Sequence, residues 1–245
     1  AEDLTLREVA VDALGNHAGT IVVMEAKTGQ LLTVVNQEWA IKESFKPCSV
    51  IKLVTGAAGL ESNEIADDGS IVGSSSSMKL DYAIAKSNNA YFQQVGKRVG
   101  GDEFDKTARD LGLAQKTGIN VPDEAVGRLP RGNNNARNYS HGDGTEVTPL
   151  QLAVMVTAIT NGGKKVVPKF GTSEAPSVVS SDVNLSKKSL EGLVPGMNGS
   201  AEYGTAHRGI DASLREDGKT DGKTQVAGKT GSCLGHGSWV GLFAS

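Results

Sequence analysis

VAGKTGSCLGHGSWVGLFAS, residues 226–245, decides how this chain is read. Two runs of small, β-branched and aromatic residues, QVAGKTGSC from Gln225 and GSWVGLFA from Gly237, read as strands joined through Leu234-Gly235-His236-Gly237. The first of these strands carries Lys229-Thr230-Gly231. The same tripeptide recurs at Lys27-Thr28-Gly29 and Lys116-Thr117-Gly118, with near-copies beginning at Gly218 and Gly222. Context has to say which copy carries chemistry.

The copy at Lys27 separates GTIVVMEA (19–26) from QLLTVVN (30–36), two runs rich in β-branched residues. It reads as a hairpin turn in which Gly29 supplies the turn geometry. The copy at Lys116 follows the helical segment DEFDKTARDLGL and leads into INVP, so it reads as a helix-to-loop exit. A phosphate-binding loop would need a glycine five residues before each Gly-Lys pair. Those positions hold Ser213, Asp217 and Lys223, so no copy qualifies.

Between the strands at the two chain ends the pattern is helical. SVIKLVTGAAGL from Ser49 reads as a buried helix start with a serine in the N-cap region. MKLDYAIAKS, NAYFQQVGKRVG and DEFDKTARDLGL read as three short helices. VTPLQLAVMVTAITNGG is the clearest helix, with Thr148 as N-cap, Pro149 at the first helical position and glycines to stop it. IADDGSIVGSSSS, NNNARNYSHGDG and DASLREDGKTDGKT read as loops. The organisation is therefore α/β of the α+β kind: an antiparallel sheet formed by both chain ends and flanked by helices, with an all-helical subdomain inserted. The expected boundaries are a sheet subdomain over about 1–60 and 190–245 and a helical subdomain over about 61–189.

The net charge of -3 gives no basic face for nucleic acid, and no run approaches the about 20 apolar residues of a membrane span. No basic-then-apolar signal segment opens the chain, so it is either cytoplasmic or a mature or trimmed portion of something longer. Four histidines and two cysteines show no metal-ligand spacing, and no metal or organic cofactor is implied. The two cysteines, Cys48 and Cys233, are too few for a disulfide scaffold but could form one bridge.

Ser49-Val50-Ile51-Lys52 puts a hydroxyl and an amine at i and i+3 on one helix face. A serine hydroxyl needs an adjacent base. A lysine serves if burial and a second nearby cation lower its pKa. A second S-x-x-K match, Ser76 to Lys79, lies in a serine-rich loop with no helix to fix it. Taken alone each motif is weak. Their order is specific: Ser49-x-x-Lys52, then Ser87-Asn88-Asn89, then Lys229-Thr230-Gly231 in a strand of small residues.

With those residues in place, the sequence resembles the transpeptidase domain of penicillin-binding proteins, in the serine β-lactamase and D,D-peptidase superfamily. GTIVVMEAKTGQLLTVVN resembles the family's opening hairpin, LDYAIAKSNNAYFQQVGKRVG its S-x-N helix pair and TGINVPDEAVGRLP the loop that follows. GDGTEVTPLQLAVMVTAITNGG, YGTA (203–206) and AGKTGS…WVGLFA are similar to landmarks of its high-molecular-weight branch.

The resemblance implies roles. Ser49 would attack a carbonyl and form an acyl-enzyme, and Lys52 would take its proton. Ser87 would relay a proton to the leaving amine, while Asn89 would hold Lys52 and the substrate amide. Lys229 would supply positive charge and is a candidate for the second cation that depresses Lys52. Thr230 would hydrogen-bond the substrate's terminal carboxylate. Gly231 lies in the same substrate-binding strand, and the backbone N–H groups of Ser49 and Ser232 would form the oxyanion hole. The family's fold would also place Cys48 and Cys233 on either side of one cleft. A bridge between them would resemble that of a subset of class A carbapenemases, the alternative being two unpaired buried thiols.

The function implied is a serine D,D-transpeptidase or carboxypeptidase acting on peptidoglycan stem peptides ending in D-Ala-D-Ala and acylated by β-lactams. Such a protein would work on the extracytoplasmic side of the bacterial inner membrane, anchored through segments absent from this chain. Two rivals stand beside it. A serine β-lactamase would need a residue to activate water; the class A E-x-x-L-N motif is missing, and Glu124 in PDEAVGRLP is the stand-in. A non-turnover β-lactam sensor would need a transmembrane partner segment. The family usually continues beyond the strand that ends at Ser245 with a further strand and often a helix, so those elements are expected to be absent or trimmed here. The short spacing between Lys52 and Ser87 implies a reduced active-site rim.

Overall fold

The hairpins expected near the two chain ends both form. The computed structural model describes residues 2–132, 135–171, 179–216, 226–235 and 237–245. In chain order the elements are α1 (Leu4–Leu14), β1 (Ile21–Met24), β2 (Gln30–Val35), α2 (Gln37–Ile41), a 3-10 turn (Cys48–Ile51), α3 (Lys52–Glu61), α4 (Leu80–Ala85), α5 (Asn89–Val99) and α6 (Gly101–Asp110). They continue with α7 (Asn138–His141), α8 (Pro149–Thr160), β3 (Lys164–Val166), β4 (Lys169–Phe170), β5 (Ser180–Asp182), α9 (Lys187–Glu191), α10 (Val194–Glu202), α11 (His207–Glu216), β6 (Lys229–Gly235) and β7 (Ser238–Ala244).

The chain divides into two compact units. One comprises Ala1–Lys46, Ala108–Leu129 and Gly144–Asn184; the other comprises Pro47–Thr107, Pro130–Asp143 and Leu185–Ser245. The class is mixed α/β. Among the described residues β1, β2 and β4 form one sheet, β3 pairs with β5, and β6 pairs only with β7. The first hairpin covers its apolar side within its own unit. Leu31 and Val34 are buried with Ala40, Ile41, Ile119 and Leu150. Segments assigned by sequence to the helical middle thus complete the core of the N-terminal unit.

Within that unit the Lys27-Thr28-Gly29 copy is a turn, as read. Gly29 has φ +75°, and a Cβ there would lie 2.3 Å from the Val167 carbonyl oxygen, so conformation and space both call for glycine. β2 continues into a short parallel pairing, Gln30 with Lys169 and Leu31 with Phe170. Helix α8 opens with a capping box between Thr148 and Gln151, with Pro149 in its first turn. The Gln151 side-chain amide also donates to the carbonyls of Gln115 at 2.7 Å and Val126 at 2.9 Å, fixing the loop that carries the second tripeptide.

The second unit is organised on α3, whose residues from Lys52 to Gly59 are all buried. Two departures from the sequence reading fall here. The loop expected over NNNARNYSHGDG contains the short helix α7, anchored by Tyr139, which packs edge-on to Phe104 at 5.2 Å. A Cβ on Gly96 would lie 2.1 Å from Cγ of Tyr139, so α5 admits that ring only because position 96 is glycine. The second departure is α11, which runs through Asp211–Glu216 where a loop was expected. The rest of that loop, including the near-copies at Gly218 and Gly222, lies outside the described residues, as do Asn133, Asn134 and His236. Among the described residues no helix is long and apolar enough to cross a membrane.

Candidate active site

The segment that carries Ser49 does not begin as an α-helix. Cys48–Ile51 is a 3-10 turn preceded by Pro47, and Cys48 has φ +50°, a left-handed conformation uncommon for a residue with a side chain. Ser49 is half-buried, and no side-chain capping bond is made at Pro47 or Ile51, where the turn and α3 begin. The hydroxyl expected in the N-cap region points instead to Lys52, whose Nζ lies 3.0 Å from Ser49 Oγ.

Lys52 is fully buried and its amine is surrounded by oxygen. Besides Ser49, Nζ lies 2.7 Å from the Ser87 carbonyl, 2.9 Å from Ser87 Oγ and 2.7 Å from Asn89 Oδ1. The turn that presents these groups is built from its own sequence. Ser87 has φ +54°, and Asn88 caps α5 by accepting from the Tyr91 N–H at 2.9 Å. A carbonyl and an amide oxygen can only accept. In a neutral amine the two N–H bonds satisfy Ser87 O and Asn89 Oδ1, which leaves the lone pair for a hydroxyl proton from Ser49 or Ser87. Burial lowers the Lys52 pKa to about 8, so that neutral form is accessible near physiological pH.

Lys229, at the start of β6, is also fully buried and donates to its neighbour's carbonyl, Thr230 O, at 2.8 Å. Burial, and then the charge of Lys52, bring its pKa down to about 7. The sequence made Lys229 a candidate for the cation that depresses Lys52; the two charges are close enough to interact, and burial is the largest cause of the shift at each.

β6 approaches the Ser49 turn closely. A Cβ on Gly231 would lie 3.0 Å from the Pro47 carbonyl, 3.1 Å from Val50 Cγ2 and 3.3 Å from Cys48 Cβ. Cys48 and Cys233 form a disulfide across the same approach, with Cα atoms 5.6 Å apart. Ser49 and Ser232 are the chain neighbours of the bridged pair. Ser49, Lys52, Ser87, Asn89, Lys229, Thr230, Gly231, Ser232 and both cysteines therefore gather in the second unit.

One residue was not singled out in the sequence. Thr205 Oγ1 lies 2.5 Å from Thr230 Oγ1. The signal was present in YGTA, read only as a landmark. Glu124 lies in the first unit and its carboxylate is occupied by its own loop, accepting from Thr117 N–H at 2.7 Å, Thr117 Oγ1 at 2.5 Å and Gly118 N–H at 3.4 Å. The second tripeptide copy is thus a structural loop closed by Glu124. In the discounted pair, Lys79 is tied to Asp68 and Ser76 Oγ accepts from Met78 N–H at 3.2 Å.

Comparison with known proteins agrees with this geometry. Residues 19–244 match the penicillin binding protein transpeptidase domain, and the chain belongs to that family. It is 28% identical over 202 residues to penicillin-binding protein PbpB of Mycolicibacterium smegmatis, covering 66% of this chain and 31% of that protein. It is 23% identical over 275 residues to the peptidoglycan D,D-transpeptidase PbpA of Mycobacterium tuberculosis, covering 89% of this chain and 55% of that protein. The chain thus spans between about a third and about half of these curated relatives. Its fold is that of PBP2 from Helicobacter pylori, solved in complex with MreC, with a TM-score of 0.77 at 23% identity over 96% of this chain and 53% of that one.

Proposed function

We propose that this chain is the catalytic domain of a peptidoglycan D,D-transpeptidase that forms an acyl-enzyme at Ser49. Its substrates are stem peptides ending in D-Ala-D-Ala, and β-lactams acylate the same hydroxyl. The observation that carries this reading is the Lys52 amine, 3.0 Å from Ser49 Oγ and held by burial at a pKa of about 8. In acylation the Ser49 oxygen bonds the substrate carbonyl carbon while its proton passes to Lys52 Nζ. The amide C–N bond then breaks, and Ser87, 2.9 Å from the same amine, relays the proton to the leaving nitrogen. Asn89 orients Lys52. Lys229 and Thr230 receive the terminal carboxylate, and the N–H groups of Ser49 and Ser232 stabilise the oxyanion. The bridge between their neighbours supports that last assignment, since it keeps the two backbones adjacent.

A disulfide beside the nucleophile favours an oxidising compartment. We place the domain outside the cytoplasmic membrane, attached through segments beyond these residues. The test is intact-mass analysis with a fluorescent penicillin, comparing wild type with Ser49→Ala. A stable adduct on wild type that the variant lacks is expected. No adduct on wild type, or one that persists in Ser49→Ala, would refute the assignment.

A further inference from the structure

We infer that Thr205 is a positioning residue for carboxylate recognition, acting through the Thr230 hydroxyl; the inference rests on the transpeptidase reading above. Thr230 faces a single difficulty as a carboxylate receptor. Its hydroxyl has one proton, and the group it touches in the structure is another hydroxyl, Thr205 Oγ1, at 2.5 Å. If Thr230 donated to Thr205, nothing would remain for an anion. The opposite polarity frees the proton: Thr205 donates to Thr230, and Thr230 donates outward.

The surroundings favour that polarity. On the inner side of Thr205 lies Ser200 Oγ, 3.5 Å away and fully buried, whereas Thr205 itself is exposed. A buried hydroxyl whose proton points toward Thr205 starts a chain running from Ser200 to Thr205 to Thr230, and such chains strengthen as each member polarises the next. The end of the chain meets the ligand.

Thr205 is also held in place by backbone contacts that do not involve its side chain. Its N–H donates to the Ala85 carbonyl at 3.0 Å. A Cβ on Gly204 would lie 2.3 Å from that same oxygen, so the preceding residue must be glycine for the segment to dock. Lys86 Nζ donates to the Tyr203 carbonyl at 2.6 Å, and the Tyr82 and Tyr203 rings stack at 6.3 Å. The 203–205 segment is therefore clamped onto the end of α4 at Ala85 and Lys86, just before Ser87 begins its turn. Through Thr205 the Ser87 turn and the β6 strand share one fixed frame.

The experiment compares acylation rates of wild type, Thr205→Val and Thr205→Ser with benzylpenicillin and with its methyl ester, which lacks the carboxylate. Removing a charge-assisted hydrogen bond at one remove is expected to slow benzylpenicillin by about tenfold in Thr205→Val. The ester rate should change little in the same variant, and Thr205→Ser should restore the wild-type preference for the free acid. Equal slowing of acid and ester would mean a merely structural role and would overturn the inference, as would an unchanged acid rate. Absence of a Ser49 adduct on wild type would instead overturn the transpeptidase reading, so the two failures are told apart.

Discussion

Lys52 and Lys229 are both fully buried in one unit, near enough for the charge of Lys52 to lower the pKa of Lys229. The pair therefore resists holding two charges at once. A carboxylate arriving beside Lys229 favours its charged form, and a charge there disfavours a proton on Lys52. In the proposed mechanism ligand binding thus prepares the base.

The rate of acylation by benzylpenicillin should therefore trace a bell between pH 6 and 10. It rises as the pair loses its first proton and falls as it loses its second, so the maximum lies where the pair holds one proton, between about pH 7 and 8. The two limbs belong to the pair and overlap. Stopped-flow rates across this range check it. In Lys229→Gln the falling limb should vanish together with most of the rate. A profile that is flat from pH 6 to 9.5 in wild type would contradict the assignment of both lysines.

Stability should move with pH as well. Both lysines titrate near 10.5 when unfolded, and near 8 and 7 when folded. Between about pH 7 and 10.5 the unfolded chain binds more protons, so the free energy of unfolding increases as pH rises through that window. The limit is about 1.4 kcal/mol per pH unit for each lysine. Tyr91 works the other way above pH 10, because burial raises its pKa. Urea denaturation should show greater stability at pH 9.5 than at pH 7, and Lys229→Met should narrow the difference.

Loss of the Cys48–Cys233 bridge should cost about 2–4 kcal/mol, since it closes a loop across a sequence separation of 185. Denaturation with and without a thiol reductant measures this. Native protein handled in air should show no alkylatable thiol by mass spectrometry. Two such thiols would rule the bridge out in solution.

Glu124→Gln separates a structural role from a hydrolytic one. Its carboxylate accepts three bonds from Thr117 and Gly118, so the variant should lose about 1–2 kcal/mol of stability. The lifetime of the penicilloyl adduct should not change. A lifetime lengthened severalfold would return Glu124 to the chemistry and favour a β-lactamase.

The site was legible because its parts are short, local and in order. The spacing from Ser49 to Lys52 brings hydroxyl and amine together within one turn, and the Thr148–Gln151 capping box is written in consecutive residues. The short parallel pairing in the first sheet was not legible. The pairing of β2 with β4 involves only Lys169 and Phe170, too short a stretch for any alternation to show. Helix α7 was hidden among asparagines and glycines, and its reason is the seat for Tyr139 beside Gly96, which no local pattern reveals. Thr205 was missed because a hydroxyl's role depends on the hydroxyl it meets, 25 residues further along the chain.

The bridge between Cys48 and Cys233 bears on what a protease can do to this protein. A single cut in the chain anywhere between those residues leaves the two pieces covalently joined. The join lies beside Ser49 and beside the strand that begins with Lys229. A nicked molecule therefore keeps Ser49 and the Lys229 strand on one particle, and the cut becomes visible as two fragments only after reduction.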